Sequence, residues 1–180
     1  QTALTETART LSAYNPVLFT GDIRNPGELP AKLLSGGIKP EETLHVRSFL
    51  DHDRRFQSPI NTLANHWLTL PTKCLVVDKS GNHVTAPLVL QSLQEHFQAW
   101  KSVAGPAGLL LLEVHACDDA ELQAHPEATN AIHFEAIHGF TGQQLVSADQ
   151  FLLVAASAGL MPKVGFSKRY RVQPPLLTLL

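Results

Sequence analysis

The chain has almost no excess of charge in either direction: 14 Lys and Arg stand against 16 Asp and Glu, a formal net charge of −2 over 180 residues. It contains no basic block or stripe, and nucleic acid, which is gripped through clustered Lys and Arg, is therefore not an expected partner. Cysteine is scarce. Cys74 and Cys117 lie far apart and without metal-ligand spacing, which excludes a disulfide framework and a thiolate zinc site. They read as reduced core thiols, and the expected location is cytoplasmic. No apolar run has the length of a membrane span and no stretch has the form of a signal peptide, so no membrane partner is expected. Repeats and low-complexity segments are absent as well.

What is present is an ordinary globular composition, 44% hydrophobic and 17% charged, long enough for a single domain over 1–180 with a sizeable core. Nine histidines are more than a chain of this size usually carries. The periodicity predicts the end of an amphipathic helix over 2–13, with Leu4, Ala8 and Leu11 on one face. A buried strand is expected over 17–23. The next helix is opened by Asn25 and Pro26 and closed by Gly36-Gly37. A second strand follows over 44–50, and then the polar burst 51–55. Residues 56–72 read as loop, and 73–85 as strand, turn and short return. Leu90, Leu93, Phe97 and Trp100 recur at helical spacing behind Thr85 and Pro87. GLLLLEVH (108–115) is the clearest buried strand. Ser147 and Gln150 form a capping box for a helix over 148–158 that Gly159 ends. Two strand-like pieces flank Pro174-Pro175. Helices alternating with uniformly apolar strands imply an α/β fold, with a mainly parallel sheet covered on both faces and an antiparallel terminal strand pair at its edge.

In such sheets ligands gather at the carboxyl ends of the strands. Three polar clusters fall there: Gly21-Asp22, then Asp51-His52-Asp53-Arg54, then Glu113 to His115. Asp22 could accept hydrogen bonds from an adenine amino group or a ribose, or could simply cap a turn. His52 between two carboxylates could titrate usefully or hold a metal, or belong to a solvated loop. His115 reads more readily as structural. Glu113, in an apolar strand, is costly unless it is paired. His138 and Gln143 flank a Gly-Phe-Thr-Gly loop whose glycines allow both side chains to converge on a metal or a carbonyl. The same segment also reads as a polar loop leading into a helix. His133 and His138 share it, but Glu135 is misplaced for an HExxH site.

Taken together, GDI (21–23), LHVRSFLDHDR (44–54), LLLLEVH (109–115) and HGFTGQ (138–143) resemble the C-terminal half of class I S-adenosylmethionine methyltransferases. They are similar in particular to the methyltransferase domains of bacterial polyketide synthases, of the apratoxin loading-module kind. The resemblance implies a Rossmann-like sheet, S-adenosylmethionine as cofactor, and an acyl group on an acyl carrier protein as substrate. It implies cofactor contacts from Gly21, Asp22, Ile23, Arg47 and Ser48. It further implies an iron or manganese ion held partly by His138 and Gln143. Catalytic candidates are His138, His52, Asp51 and Asp53, with C-methylation through an enolate as the expected reaction. The family's Gly-rich loop and the acidic residue after its second strand fall ahead of Gln1. A partner chain or another segment is therefore expected to supply the N-terminal half. A non-catalytic, methyltransferase-like module serving a larger assembly is the alternative reading.

Overall fold

The computed structural model describes residues 2–60, 76–116, 123–124, 137–139, 141–170 and 177–179. The elements are helices α1 (Thr2–Thr10), α2 (Leu29–Ser35), α3 (Ala86–Val103) and α4 (Ala148–Ser157), and strands β1 (His45–Ser48), β2 (Leu109–Val114), β3 (Lys168–Tyr170) and β4 (Leu177–Leu179). Cys74, Cys117, His133, Glu135, Pro174-Pro175 and the first part of the 73–85 strand–turn lie outside the described residues. The return of that unit survives as a single bridge between Val77 and His83. Between them the Asp78 carboxylate accepts from the amides of Ser80 and Asn82.

Among the described residues four strands lie in the order β1-β2-β4-β3. β1 and β2 are parallel, and β4 is antiparallel to both β2 and β3. Three strands thus run one way and the last is inserted, reversed, between the second and third. The expected antiparallel terminal pair is present, but its reversed member is interior and β3 forms the edge. The result is an α/β arrangement of helices with a small, partly parallel sheet. Residues 17–23 do not form a strand; an apolar run becomes a strand only where a neighbour takes its backbone hydrogen bonds, and among the described residues none does. Asn25 makes no side-chain cap, and the helix it precedes begins with a 3-10 turn over Pro26–Glu28.

α3 starts where Pro87 fits the first turn and α4 where the Ser147–Gln150 capping box is complete. Their apolar faces meet over one side of the sheet. Phe97 and Phe151 pack edge to face at 5.1 Å, with Leu90, Leu93, Val154 and Leu111 around them. The helices cover one sheet face; on the other, Val46 is 63% exposed, so covering on both faces is not seen among the described residues. Residues on β2 alternate, and Leu111, Glu113 and then His115 beyond the strand are the buried positions. The core face of the sheet therefore changes from aliphatic to ionisable at its carboxyl end.

Two substitutions test this core. Phe97→Ala is expected to cost about 3–5 kcal/mol, the range for an aromatic removed from a closed interior. Ser147→Ala should cost about 1 kcal/mol, as loss of a helix cap does. Urea denaturation of both variants measures this, and a Phe97→Ala loss no larger than that of the cap would contradict the packing.

Candidate active site

β1 ends at Ser48, and the chain turns sharply through Phe49, whose φ of 58° is a conformation that costs a side-chain-bearing residue about 1–3 kcal/mol. The Phe49 amide donates to the Leu112 carbonyl at 2.8 Å, which ties the turn to β2. Residues 51–54 are thereby laid across the end of β2, directly over Glu113.

Glu113 is 1% exposed, and its carboxylate is fully engaged. One oxygen, Oε2, accepts from the backbone amides of Asp51 at 2.8 Å and His52 at 3.1 Å. The other, Oε1, accepts from the Val114 amide at 2.8 Å and lies 2.5 Å from Nδ1 of His52. A carboxylate can only accept, so Nδ1 carries a proton, and in the neutral ring Nε2 presents the lone pair. A buried acid that fixes an imidazole in this tautomer is the orienting half of a general-base pair.

A second pair lies behind the first. Oδ1 of Asp51 accepts from Nε2 of His96 on α3 at 2.9 Å, and Nη1 of Arg47 stands 3.1 Å away. The Arg47 guanidinium lies 4.2 Å over the Trp100 ring. Nη1 of Arg54 donates to the Asp51 carbonyl at 2.6 Å. Burial lowers His96 to about 4, so the ring is neutral at ordinary pH. Burial also lowers Arg54 to about 10, which leaves it charged. Burial acts to raise Asp51, but the His96 hydrogen bond and the Arg47 charge outweigh it and hold the carboxyl below its ordinary value. Two guanidinium groups thus face two carboxylates in a space closed to water, where an unpaired charge would be costly.

The third wall is the segment carrying His138. Gly142, at φ 75°, takes a left-handed conformation that glycine adopts without strain and turns the chain so that the Gln143 amide reaches the His138 carbonyl at 2.9 Å. The two glutamines then fasten onto the 51–54 loop. Nε2 of Gln143 donates to Asp53 Oδ1 at 2.7 Å. The Gln144 backbone amide donates to the His52 carbonyl at 2.7 Å, and its side chain to the Arg54 carbonyl at 2.6 Å. The His138 ring meets the His52 ring edge to face at 5.3 Å.

The structure thus brings together His52, Asp51, Asp53, His138 and Gln143 from the sequence analysis. Arg47 is buried in the Asp51 pair, while Ser48 stays exposed at the end of β1. Gly21, Asp22 and Ile23 form a separate turn. There the Asp22 carboxylate accepts from the Arg24 amide and guanidinium, which lowers it to about 2, and Trp100 donates to the Ile23 carbonyl. Asp22 keeps 35% of its side chain exposed. The His138 ring is turned to His52 and the Gln143 amide nitrogen to Asp53, and among the described residues no group of three or more His, Cys, Asp or Glu is placed to hold a metal ion. Glu113, His96, Arg54 and Gln144 complete the cluster without having been named as site residues; for Glu113 the signal was a carboxylate inside an apolar strand. An apolar cavity of about 530 Å³ lies at the opposite ends of the strands, between Leu44, Gly108, Met161 and Phe166, far from these acid–base groups.

Residues 1–179 match the family described as AprA MT2-like domain, a methyltransferase family. No curated protein matches the chain.

The His96–Asp51 pair gives the fold a specific acid lability. Unfolded, His96 binds a proton below about 6.5; folded, only below about 4. Between these values the unfolded state holds the extra proton, so stability falls as pH falls, by on the order of 3 kcal/mol across the window. Asp51 adds a contribution present above the ordinary carboxylate range and lost as pH drops through its lowered folded value. Urea denaturation at pH 7 and pH 4.5 should show this loss in the wild type and a much smaller one in His96→Gln; identical pH dependence in the two would contradict the assignment.

Proposed function

The chain belongs to the AprA MT2-like methyltransferase family, and from that premise we propose that it serves in methylating the α-carbon of an acyl group borne on an acyl carrier protein, with His52 as the base. The observation that carries this reading is the 2.5 Å contact between Nδ1 of His52 and the buried carboxylate of Glu113, at the carboxyl ends of two parallel strands. Carbon methylation requires removal of a weakly acidic C–H proton, and a buried carboxylate–imidazole pair is suited to that step.

A methyltransferase takes its methyl group from S-adenosylmethionine, which when bound supplies an electrophilic carbon. The chain's own residues do the rest. Nε2 of His52 accepts the α-proton, and the C–H electron pair passes into the enolate; from there it would form the new C–CH3 bond while the methyl–sulfur bond of the bound donor breaks, its electron pair staying on sulfur to leave a neutral thioether. The imidazolium that forms is stabilised by Glu113 across Nδ1. The Asp53–Gln143 and His52–Gln144 bonds keep the 51–54 loop closed, which limits water at the base. His138, edge on to His52, is placed to meet the acyl carbonyl. The Asp22-Ile23 turn borders the adenine, and exposed Ser48 faces the same end of the sheet. No step is assigned to a metal ion.

A Rossmann-like sheet is the natural frame for this reading. The reversed strand β4 between β2 and β3 supports it, as does the outer edge of β1, where no strand pairs among the described residues. A further segment or partner chain pairing at that edge would complete the sheet.

Two variants test the reading in the full-length protein. His52→Gln should lower methyl transfer to an acyl thioester by about 10²–10⁴-fold, the usual contribution of a positioned base, while affinity for S-adenosylmethionine stays within about twofold, since no uptake of binding energy passes through His52. Asp22→Ala should instead weaken the cofactor by roughly 0.5–1.5 kcal/mol, one neutral-partner hydrogen bond. Transfer assays and calorimetry read the two effects; full activity in His52→Gln overturns the base assignment.

A further inference from the structure

We propose that His96, which stands behind the base on α3, is a positioning residue: acting through Asp51, it fixes where His52 stands over the end of β2. The inference rests on the base reading above for its functional consequence and on geometry for its structural part.

Asp51 is the residue immediately before the base, and each of its polar groups is held. Its amide donates to Glu113, its carbonyl accepts from Arg54, and its carboxylate meets His96 and Arg47. These ties are not equivalent. Arg47 belongs to β1, four residues earlier on the same strand and turn, so its contact with Asp51 stiffens the turn, and it reaches α3 only by stacking on Trp100 and by standing 3.3 Å from Nε2 of His96. Arg54 closes the loop on itself. His96 belongs to another layer. It sits on the core face of α3 beside Phe97 and Trp100, and its 2.9 Å bond to Asp51 joins the loop's leading residue directly to the helix layer, where Arg47 does so only through its stacking on Trp100.

A histidine suits this place. As a neutral ring it donates from Nε2 to a carboxylate without adding charge to a site where Arg47 and Arg54 already face Asp51 and Glu113. A lysine or arginine there would leave a third cation against two carboxylates, with no water to relieve it. With Asp51 pinned, the His52 amide and ring meet Glu113 together. Were Asp51 free to swing, the imidazole would lose its register on the carboxylate, and sub-ångström placement of a base is what catalysis depends on.

The test compares His96→Leu with His96→Gln, whose amide nitrogen can still donate to Asp51, in the full-length protein. Two readouts are taken: steady-state methyl transfer to an acyl thioester, and the proton resonance of His52 Nδ1–H in nitrogen-labelled protein. In His96→Leu, kcat should fall by about tenfold or more with KM near the wild-type value, as for a misplaced catalytic group, and the His52 resonance should shift or broaden. His96→Gln should restore both. A folded His96→Leu protein with wild-type kcat and an unmoved resonance overturns the proposal, and so does failure of His96→Gln to recover either readout. If His52→Gln retains full transfer, the base reading falls instead, and the resonance alone still decides whether His96 positions His52.

Discussion

The fold is organised around a carboxylate buried away from solvent. Glu113 lies on the core face of β2, in line with Leu111, where an uncompensated charge would cost several kcal/mol. Four donors reach its two oxygens, and three of them come from Asp51 and His52. Satisfying this one group therefore dictates the path of the chain after β1. It explains why Phe49 accepts a left-handed backbone, why residues 51–54 lie across the sheet end, and why His52 points its second nitrogen away from the core. The same demand that makes the strand end stable makes it chemically usable.

A second consequence concerns α3. This helix supplies Phe97 and Leu93 to the apolar core and His96 and Trp100 to the ionic cluster. Trp100 also holds the 21–24 turn through the Ile23 carbonyl. One rigid element thus fixes the distance between the 21–24 turn and the 51–54 loop. Methyl transfer depends on just such a fixed separation, since donor and acceptor must approach in line and at short range. Gln143 and Gln144 close the remaining side by hydrogen bonds to the backbone and side chains of the same loop, so the glutamines serve as fasteners and the His138 imidazole as a neighbour to His52.

Much of this was legible in the sequence. The α3 stripe, the Ser147 capping box, the β2 run and the polar burst at 51–55 each stand where local pattern places them, because each depends on neighbours within a few residues. The strand expected at 17–23 is absent, because strand formation requires a hydrogen-bonding neighbour that a local pattern cannot name. Asp51, His52, Asp53, His138 and Gln143 were recognisable as chemistry-bearing residues, but their division of labour was not. The convergence of His138 and Gln143 on one point was inferred from two glycines; in the fold they reach adjacent residues of a different loop, His52 and Asp53. Glu113 announced itself as an anomaly without a partner. His96 gave no sign, since a histidine on a helix facing Asp51 forty-five positions earlier is visible only once tertiary packing brings them together.

The central claim is that the Glu113–His52 pair removes a proton from carbon, and this step can be observed apart from methyl transfer. The direct measurement is deuterium uptake from heavy water at the α-carbon of an acyl thioester, with S-adenosylhomocysteine replacing the methyl donor so that nothing can be alkylated. Wild-type protein should exchange the α-proton catalytically, whereas His52→Gln and Glu113→Gln should leave it near the rate in buffer. Exchange at the wild-type rate in a folded His52→Gln protein would contradict the account.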